Sequence, residues 1–183
     1  MDYYIDIRLK PDPEFNSTIL MNAVFSKAHK ALCHLHSVSI GVSFPRYKKT
    51  LGDLMRIHGT AEALGKLQSL NWIGGMREYC EPSNIELVPT GAKFRVVSRK
   101  QTTMSNAKLN RLLKRGTITG DQVNAYKAKM FNKGLDNPYI ELKSGSNGHR
   151  HRRYLEFGPL LDNPVEGTFD QFGLSKIATI PWF

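Results

Sequence analysis

Residues 144–157, SGSNGHRHRRYLEF, pack two serines, two glycines, two histidines and three arginines into a short span that then turns apolar. His149 and His151 are two apart and could share a metal, but no cysteine or carboxylate stands beside them to complete a ligand set. Ser144, Ser146 and Asn147, spaced by Gly145 and followed by Gly148, make a small polar loop whose hydroxyls and amides can approach a phosphate or a ribose. Arg150, Arg152 and Arg153 add positive charge on neighbouring positions. A phosphate grip, a catalytic loop, a metal pair and a solvated hairpin all fit this stretch taken alone.

Three other places carry side chains of the same kind. Ser98-Arg99-Lys100-Gln101 puts an arginine and a glutamine two apart, on one side of an extended chain, and these are the side chains that make paired contacts to guanine and adenine edges. A-form RNA hides those edges, so reading them requires a helix end or a distorted stem. Beyond Ser105, Lys108, Arg111 and Arg115 share one helical face while Leu109, Leu112 and Leu113 take another, a pattern that suits a helix laid along a nucleic-acid backbone as well as a plain solvated face. Near the end, FGLSK places Gly173, Ser175 and Lys176 in a turn. His29 stands apart from all of these, on the flank of a helix, roughly 120° from the centre of its apolar stripe at about 100° per residue. A flank histidine is ordinarily a surface residue, yet it is the natural general base or acid if a substrate reaches it.

The elements that position these residues follow from hydrophobic periodicity. YYIDIRL (3–9) alternates as a strand and stops at Pro11 and Pro13. Asn16 or Ser17 caps a helix whose stripe is Leu20, Val24, Ala28, Ala31 and Leu35, ending near His36. SIGVSFP (39–45) and LMRIHG (54–59) read as strands, Thr60 caps a helix over AEALGKLQSLNW, and NIELVP (84–89) supplies a fourth strand. This order predicts a ferredoxin-like βαββαβ domain, also the frame of many RNA-binding modules. Turn residues in 81–93 set a boundary near residue 90. A strand at 94–100, helices near 106–115 and 121–131, and strands near 138–143, 151–157 and 177–182 then form a basic α+β domain over 91–183.

Charge divides at the same boundary. The 183 residues carry a net +10, but residues 1–92 hold 10 Lys and Arg against 9 Asp and Glu, while residues 93–183 hold 16 against 7, so the halves are +1 and +9. So concentrated a field attracts polyanions, nucleic acid above all. No apolar run reaches the roughly 18–20 residues of a membrane span, and the acidic, alternating start does not resemble a secretory signal. Cys33 and Cys80 lack both CxxC spacing and company, which predicts two buried thiols in a reducing cytoplasm.

Taken in order, YYIDIRLKPDPEF, the helix with His29, GVSFP, SRKQ with its basic helix, the L-K-S-x-S loop and FGLSK…PWF resemble the type I-F CRISPR precursor-RNA endoribonucleases over the whole chain. The resemblance implies an enzyme that needs no cofactor or metal, binds the hairpin of a CRISPR repeat, cuts at the 3′ base of its stem and stays on the product among the other subunits of a crRNA complex. It implies that His29 deprotonates the ribose 2′-OH, that Ser144 holds the ribose, that Ser146 and Asn147 contact RNA in the same loop, and that Arg99 and Gln101 read two bases low in the stem. Lys108, Arg111, Lys114 and Arg115 correspond to the arginine-rich helix along the stem, with fewer arginines here. Arg152, Ser175 and Lys176 fall among the RNA contacts. Two positions depart from the pattern: Phe172 stands where the family has a tyrosine, which implies either slower catalysis or another group to orient His29, and His151 replaces an aromatic platform.

Overall fold

The computed structural model describes residues 1–101, 104, 106–132, 136–143 and 148–183. Strand β1 (Tyr3–Leu9) turns Ile5, Ile7 and Leu9 into the core. Helix α1 (Ser17–His34) starts at Asn16, whose side-chain oxygen accepts the Ile19 N–H at 3.0 Å, one of the donors a helix start otherwise leaves unpaired. Its buried stripe is Leu20, Met21, Val24, Phe25, Ala28, Ala31 and Leu32, and the chain leaves the helix at His36 with φ of 47°.

Strands β2 (Gly41–Ser43) and β3 (Leu54–Gly59) follow, then α2 (Ala61–Ser69), capped by Thr60. A short strand that the sequence reading does not predict, β4 (Cys80–Pro82), pairs with Ile7–Leu9, and of the expected strand over 84–89 only β5 (Glu86–Leu87) forms, against Tyr3–Tyr4. Pro82 has no N–H to continue the ladder, and Ser83 bridges the gap: its N–H donates to the Asp6 carbonyl at 2.7 Å and its hydroxyl oxygen accepts the Asp6 N–H at 3.0 Å. The sheet order is β2-β3-β1-β4, with β5 also on β1 and every pairing antiparallel, the ferredoxin-like arrangement that the sequence predicts.

The second half supplies β6 (Lys93–Lys100), α3 (Asn106–Lys114), α4 (Gly120–Asn132), β7 (Tyr139–Lys143), β8 (Arg150–Phe157) and β9 (Thr179–Trp182), with an antiparallel sheet ordered β7-β8-β6-β9. The α+β class with two antiparallel sheets is thus as expected, while the halves share one hydrophobic cluster that runs from Ile5 and Phe25 through Val97, Ile140 and Leu155 to Phe172 and Ile180. Among the described residues no helix is long and apolar enough to cross a membrane.

The tail explains why all six residues of β3 are buried. Helices cover one face of the first sheet and the C-terminal segment covers the other: Arg56 pairs with Asp6 through two bonds of 2.6 and 2.9 Å and donates to the Phe183 carbonyl at 3.0 Å. Two glycines permit this approach. A Cβ on Gly41 would lie 2.5 Å from an Ile180 methyl, and one on Gly173, at φ of +69°, would lie 2.5 Å from Val42. The Val42 N–H donates to the Gly173 carbonyl at 2.8 Å, which fastens the loop 169–175 to the edge of β2.

Candidate active site

His29 sits half-buried on the exposed side of the α1 stripe, as its flank position predicts. Its Nδ1 lies 2.8 Å from the backbone carbonyl of Gln171. A carbonyl only accepts, so Nδ1 carries a proton, and in the neutral ring the lone pair is then on Nε2, the form a general base requires. Cys33, one turn further along α1, has its sulfur 3.5 Å from Nδ1 and 3.9 Å from Nε2, and its thiol donates to the Gln171 amide oxygen at 3.3 Å. With its one proton committed there, the thiol does not occupy Nε2. Cys33 is therefore half-buried beside the candidate base, unlike the buried thiol expected for it, whereas Cys80 is 1% exposed and burial raises its pKa.

Phe172 lies flat on the His29 ring, with centroids 3.8 Å apart and planes 10° apart, and the Arg153 guanidinium carbon lies 3.5 Å over the Phe172 ring. Two groups at such distances cannot occupy one side, so Phe172 is held between them. The turn that delivers it is made by Asp170, whose Oδ1 accepts the N–H groups of Phe172 and Leu174 at 2.8 and 3.0 Å, the local bonding that makes aspartate a turn former. The group that orients His29 in the absence of a phenol is the neighbouring backbone carbonyl.

Next to this stack is a groove of about 690 Å³ lined by Arg99, Gln101, Arg153, Asp170, Ser175 and Lys176, among others. Arg99, Gln101 and Lys176 are exposed in it. Ser175 is 8% exposed, and its hydroxyl oxygen accepts the N–H groups of Ile177 and Ala178 at 3.1 and 2.8 Å, so it shapes the tail turn as well as lining the groove. Arg153 is 9% exposed, and burial first and the Arg99 charge second lower its pKa, against a smaller opposing pull from Asp170.

Strand alternation separates Arg153 from Arg152. Arg152 points to the opposite face of β8, its guanidinium 4.5 Å over the Tyr139 ring and 3.9 Å from Glu141, where it is exposed. His151 is exposed on the strand, opposite Leu142. On α3, Lys108, Arg111 and Lys114 are exposed, as is Arg115 just beyond it, while Leu109 is 3% exposed and Leu113 is 38% exposed, so the apolar face is narrower than the three leucines suggest. The helix closes at Gly116, φ +68°, whose N–H donates to the Leu113 carbonyl at 3.0 Å.

Ser144, Ser146 and Asn147 lie outside the described residues. The strand that leads into them is pinned to α1 where the Asn22 side-chain oxygen accepts the Glu141 N–H at 3.0 Å. Among the described residues no group of three His, Cys, Asp or Glu side chains could hold a metal ion.

The sequence reading singled out His29, Phe172, Arg99, Gln101, Ser175 and Lys176, and these come together around one stack and one groove. It missed the Gln171 carbonyl, for which no sequence signal exists, and it did not separate Arg153 from its neighbours, although alternation along YLEF could have done so.

The comparisons agree along the whole chain. It is 40% identical over 184 residues to the CRISPR-associated endonuclease Cas6/Csy4 of Escherichia coli (strain UTI89 / UPEC), and 36% identical over 187 residues to the protein of the same name from Pseudomonas aeruginosa (strain UCBPP-PA14), in each case with 100% of both chains covered. The family described as CRISPR-associated protein (Cas_Csy4) matches residues 4–183, and the chain belongs to that family.

Proposed function

We propose that the protein is an endoribonuclease that binds the stem-loop of a CRISPR repeat RNA and cuts it at the 3′ base of the stem. The observation that carries this reading is the locked imidazole: His29 holds its Nδ1 proton on the Gln171 carbonyl, which leaves Nε2 as the base, and the ring stacked on it, Phe172, also carries Arg153, which lines a groove with Arg99, Gln101 and Lys176. Nε2 takes the proton of the 2′-OH just upstream of the cut. The 2′ oxygen attacks the adjacent phosphorus, the P–O5′ bond breaks as the 5′ oxygen takes a proton from water and leaves as a 5′-OH, and a 2′,3′-cyclic phosphate remains. An internal nucleophile already sits next to its phosphate, so a base and a correctly held ribose suffice to begin. Ser144 holds that ribose, and the cations of the groove stabilise the charge that gathers on the phosphorane.

In the same proposal, residues 1–90 form a domain that supplies the base and residues 91–183 one that supplies the basic surface. Arg99 and Gln101 reach base edges low in the stem, and Lys108, Arg111, Lys114 and Arg115 follow its backbone. The product hairpin stays bound, which gives the other subunits of a crRNA complex a fixed 3′ end to assemble on. The free thiols of Cys33 and Cys80 suit the reducing cytoplasm in which such processing occurs.

The test is cleavage of a repeat hairpin from the protein's own CRISPR locus in excess EDTA, with and without one 2′-deoxy substitution upstream of the cut. Cutting of the all-ribose RNA alone is the expected result. Cutting of both RNAs removes the 2′-OH mechanism, and inactivation by EDTA that added metal reverses removes the metal-free one. Tight binding of both with no cleavage of either makes the protein a hairpin-capping subunit instead.

A further inference from the structure

Arg153 is a buried cation that forms no ion pair among the described residues. It is 9% exposed, and its Nε is fully buried with no hydrogen-bond partner. The residues around it do not repair this. Arg99 is close enough to disfavour its charge, and Asp170, the acidic side chain that favours it, has Oδ1 already accepting two backbone N–H groups of the tail turn. Glu166 is the other carboxylate lining the groove, and it forms no ion pair with Arg153. Burying an unpaired charge beside a like charge costs stability, and the wall of stacked rings that holds it there gives only a cation–π contact with Phe172 in return. A hydrophobic side chain at this inward position of β8, between buried Leu155 and the His151 end of the strand, would pack with less penalty.

We infer that Arg153 is a phosphate ligand for the RNA strand that enters this groove, and that through Phe172 it ties the docking of that strand to the placement of His29. The inference rests on the endoribonuclease reading and deepens it. A guanidinium fork matches the oxygens of a phosphodiester. Its groove neighbours Arg99 and Gln101 carry the donors and acceptors that read bases, so the anion that fits between them and the His29 stack is a backbone phosphate of the same strand. With a phosphate bound, the two arginines cease to repel across an empty space, and the guanidinium stays flat on Phe172, whose other face carries the imidazole. Arg153 acts on His29 only through that ring, so for the base it is a positioning residue.

The experiment uses the full-length protein, the Arg153→Met and Arg153→Lys variants, and a repeat hairpin with a 2′-deoxy nucleotide at the cut. Thermal unfolding, affinity over a salt series and single-turnover cleavage of the all-ribose hairpin are measured together. Arg153→Met should melt no lower than wild type, because an uncompensated buried charge is removed at similar volume. It should bind the uncleavable hairpin about 10- to 100-fold more weakly, as expected for loss of a charged hydrogen-bonding group, and lower the slope of log affinity against log salt by about 0.7–0.9, the value for one phosphate contact. Arg153→Lys keeps the charge and most of the volume, so it should hold the salt slope while losing affinity several-fold for want of the fork, and this variant decides the matter if the methionine protein does not fold. Wild-type affinity and salt slope in the variants, with a lowered melting temperature, would reduce Arg153 to a brace for Phe172. A wild-type protein that does not bind the hairpin overturns the endoribonuclease reading and this assignment together, whereas wild-type binding matched by the variants overturns the assignment alone.

Discussion

His29 and His58 both stand in the ferredoxin-like half, both meet one short polar contact, and only one of them can meet a substrate. His58 lies on β3 with 0% of its surface exposed, its Nε2 2.8 Å from the Ser43 hydroxyl and its Nδ1 buried without a partner. In type and distance this is a serine–histidine pair of the kind that activates a nucleophile. It lies, however, on the face of the sheet that the C-terminal tail covers, as its neighbour Arg56 shows by bonding the Phe183 carbonyl. Burial, helped by the charges of Arg56 and the N-terminal ammonium, pushes the His58 pKa down to about 3. His29 has a backbone carbonyl on one nitrogen, an aromatic face below it and a groove nearby. A reactive pair is defined by access as much as by distance, and the flank of a helix gives access where the centre of a covered sheet does not.

Five changes would break or sharpen that comparison. The largest effect belongs to His29→Ala, which should slow cleavage about a hundred- to ten-thousand-fold, the usual contribution of a general base, while affinity for the uncleavable hairpin holds. Single-turnover rates beside a binding isotherm check this, and a rate equal to wild type removes His29 from the chemistry. His58→Ala should do the converse. It should cost about 2–4 kcal/mol of stability by urea unfolding, through the emptied site and the orphaned Ser43 hydroxyl, and leave cleavage unchanged at a temperature where the protein is folded.

The buried imidazole also predicts a pH dependence. The unfolded chain takes up a proton at His58 from about pH 6.5 downward, the folded one only near 3. The stability linked to His58 is therefore complete above pH 6.5 and is lost as the pH falls towards 3, by about 2 kcal/mol between pH 7.5 and 5. His58→Gln should unfold with a flatter pH slope over that interval, and identical slopes in the two proteins would mean that His58 is not held neutral. Gly173→Ala should cost about 1–2 kcal/mol for a side chain at positive φ, more if Val42 cannot yield, and should slow cleavage as well, because the Gln171 carbonyl is fastened through the same loop. A stability loss with wild-type cleavage would show that the carbonyl does not set the His29 tautomer. The smallest effect is that of Phe172→Leu: loss of the ring stack, worth about 0.5–1.5 kcal/mol, should slow cleavage by roughly 2- to 10-fold with no change in the cut site, and a faster enzyme would mean that the stack restrains the base.

Much of the fold was legible because local rules and the final structure agree. The alternation of YYIDIRL, the caps at Asn16 and Thr60 and the LMRIHG strand specify their elements without help from distant residues. The expectation failed at 84–89, where the pairing of Glu86–Leu87 and of Cys80–Pro82 with β1 depends on Ser83 bonding Asp6 across 77 positions of chain. The site divides in the same way. His29, Arg99, Gln101, Phe172 and Lys176 were singled out by residue type and by resemblance to a family. Arg153 was seen only as charge, and the Ser43–His58 pair was not seen at all.

By itself the sequence determined the two-part charge, the order of strands and helices and the family, since these depend on composition, periodicity and a succession of motifs along the chain. Only the tertiary structure decided which histidine stays accessible at the edge of the core and which is sealed. That distinction depends on a tail some 120–140 residues away, which covers the face that bears His58 and brings a backbone carbonyl to His29. A carbonyl is present at every residue, so no sequence pattern marks the one that will orient a ring; its position is fixed by the packing of Gly173 against Val42 and by the Asp170 turn.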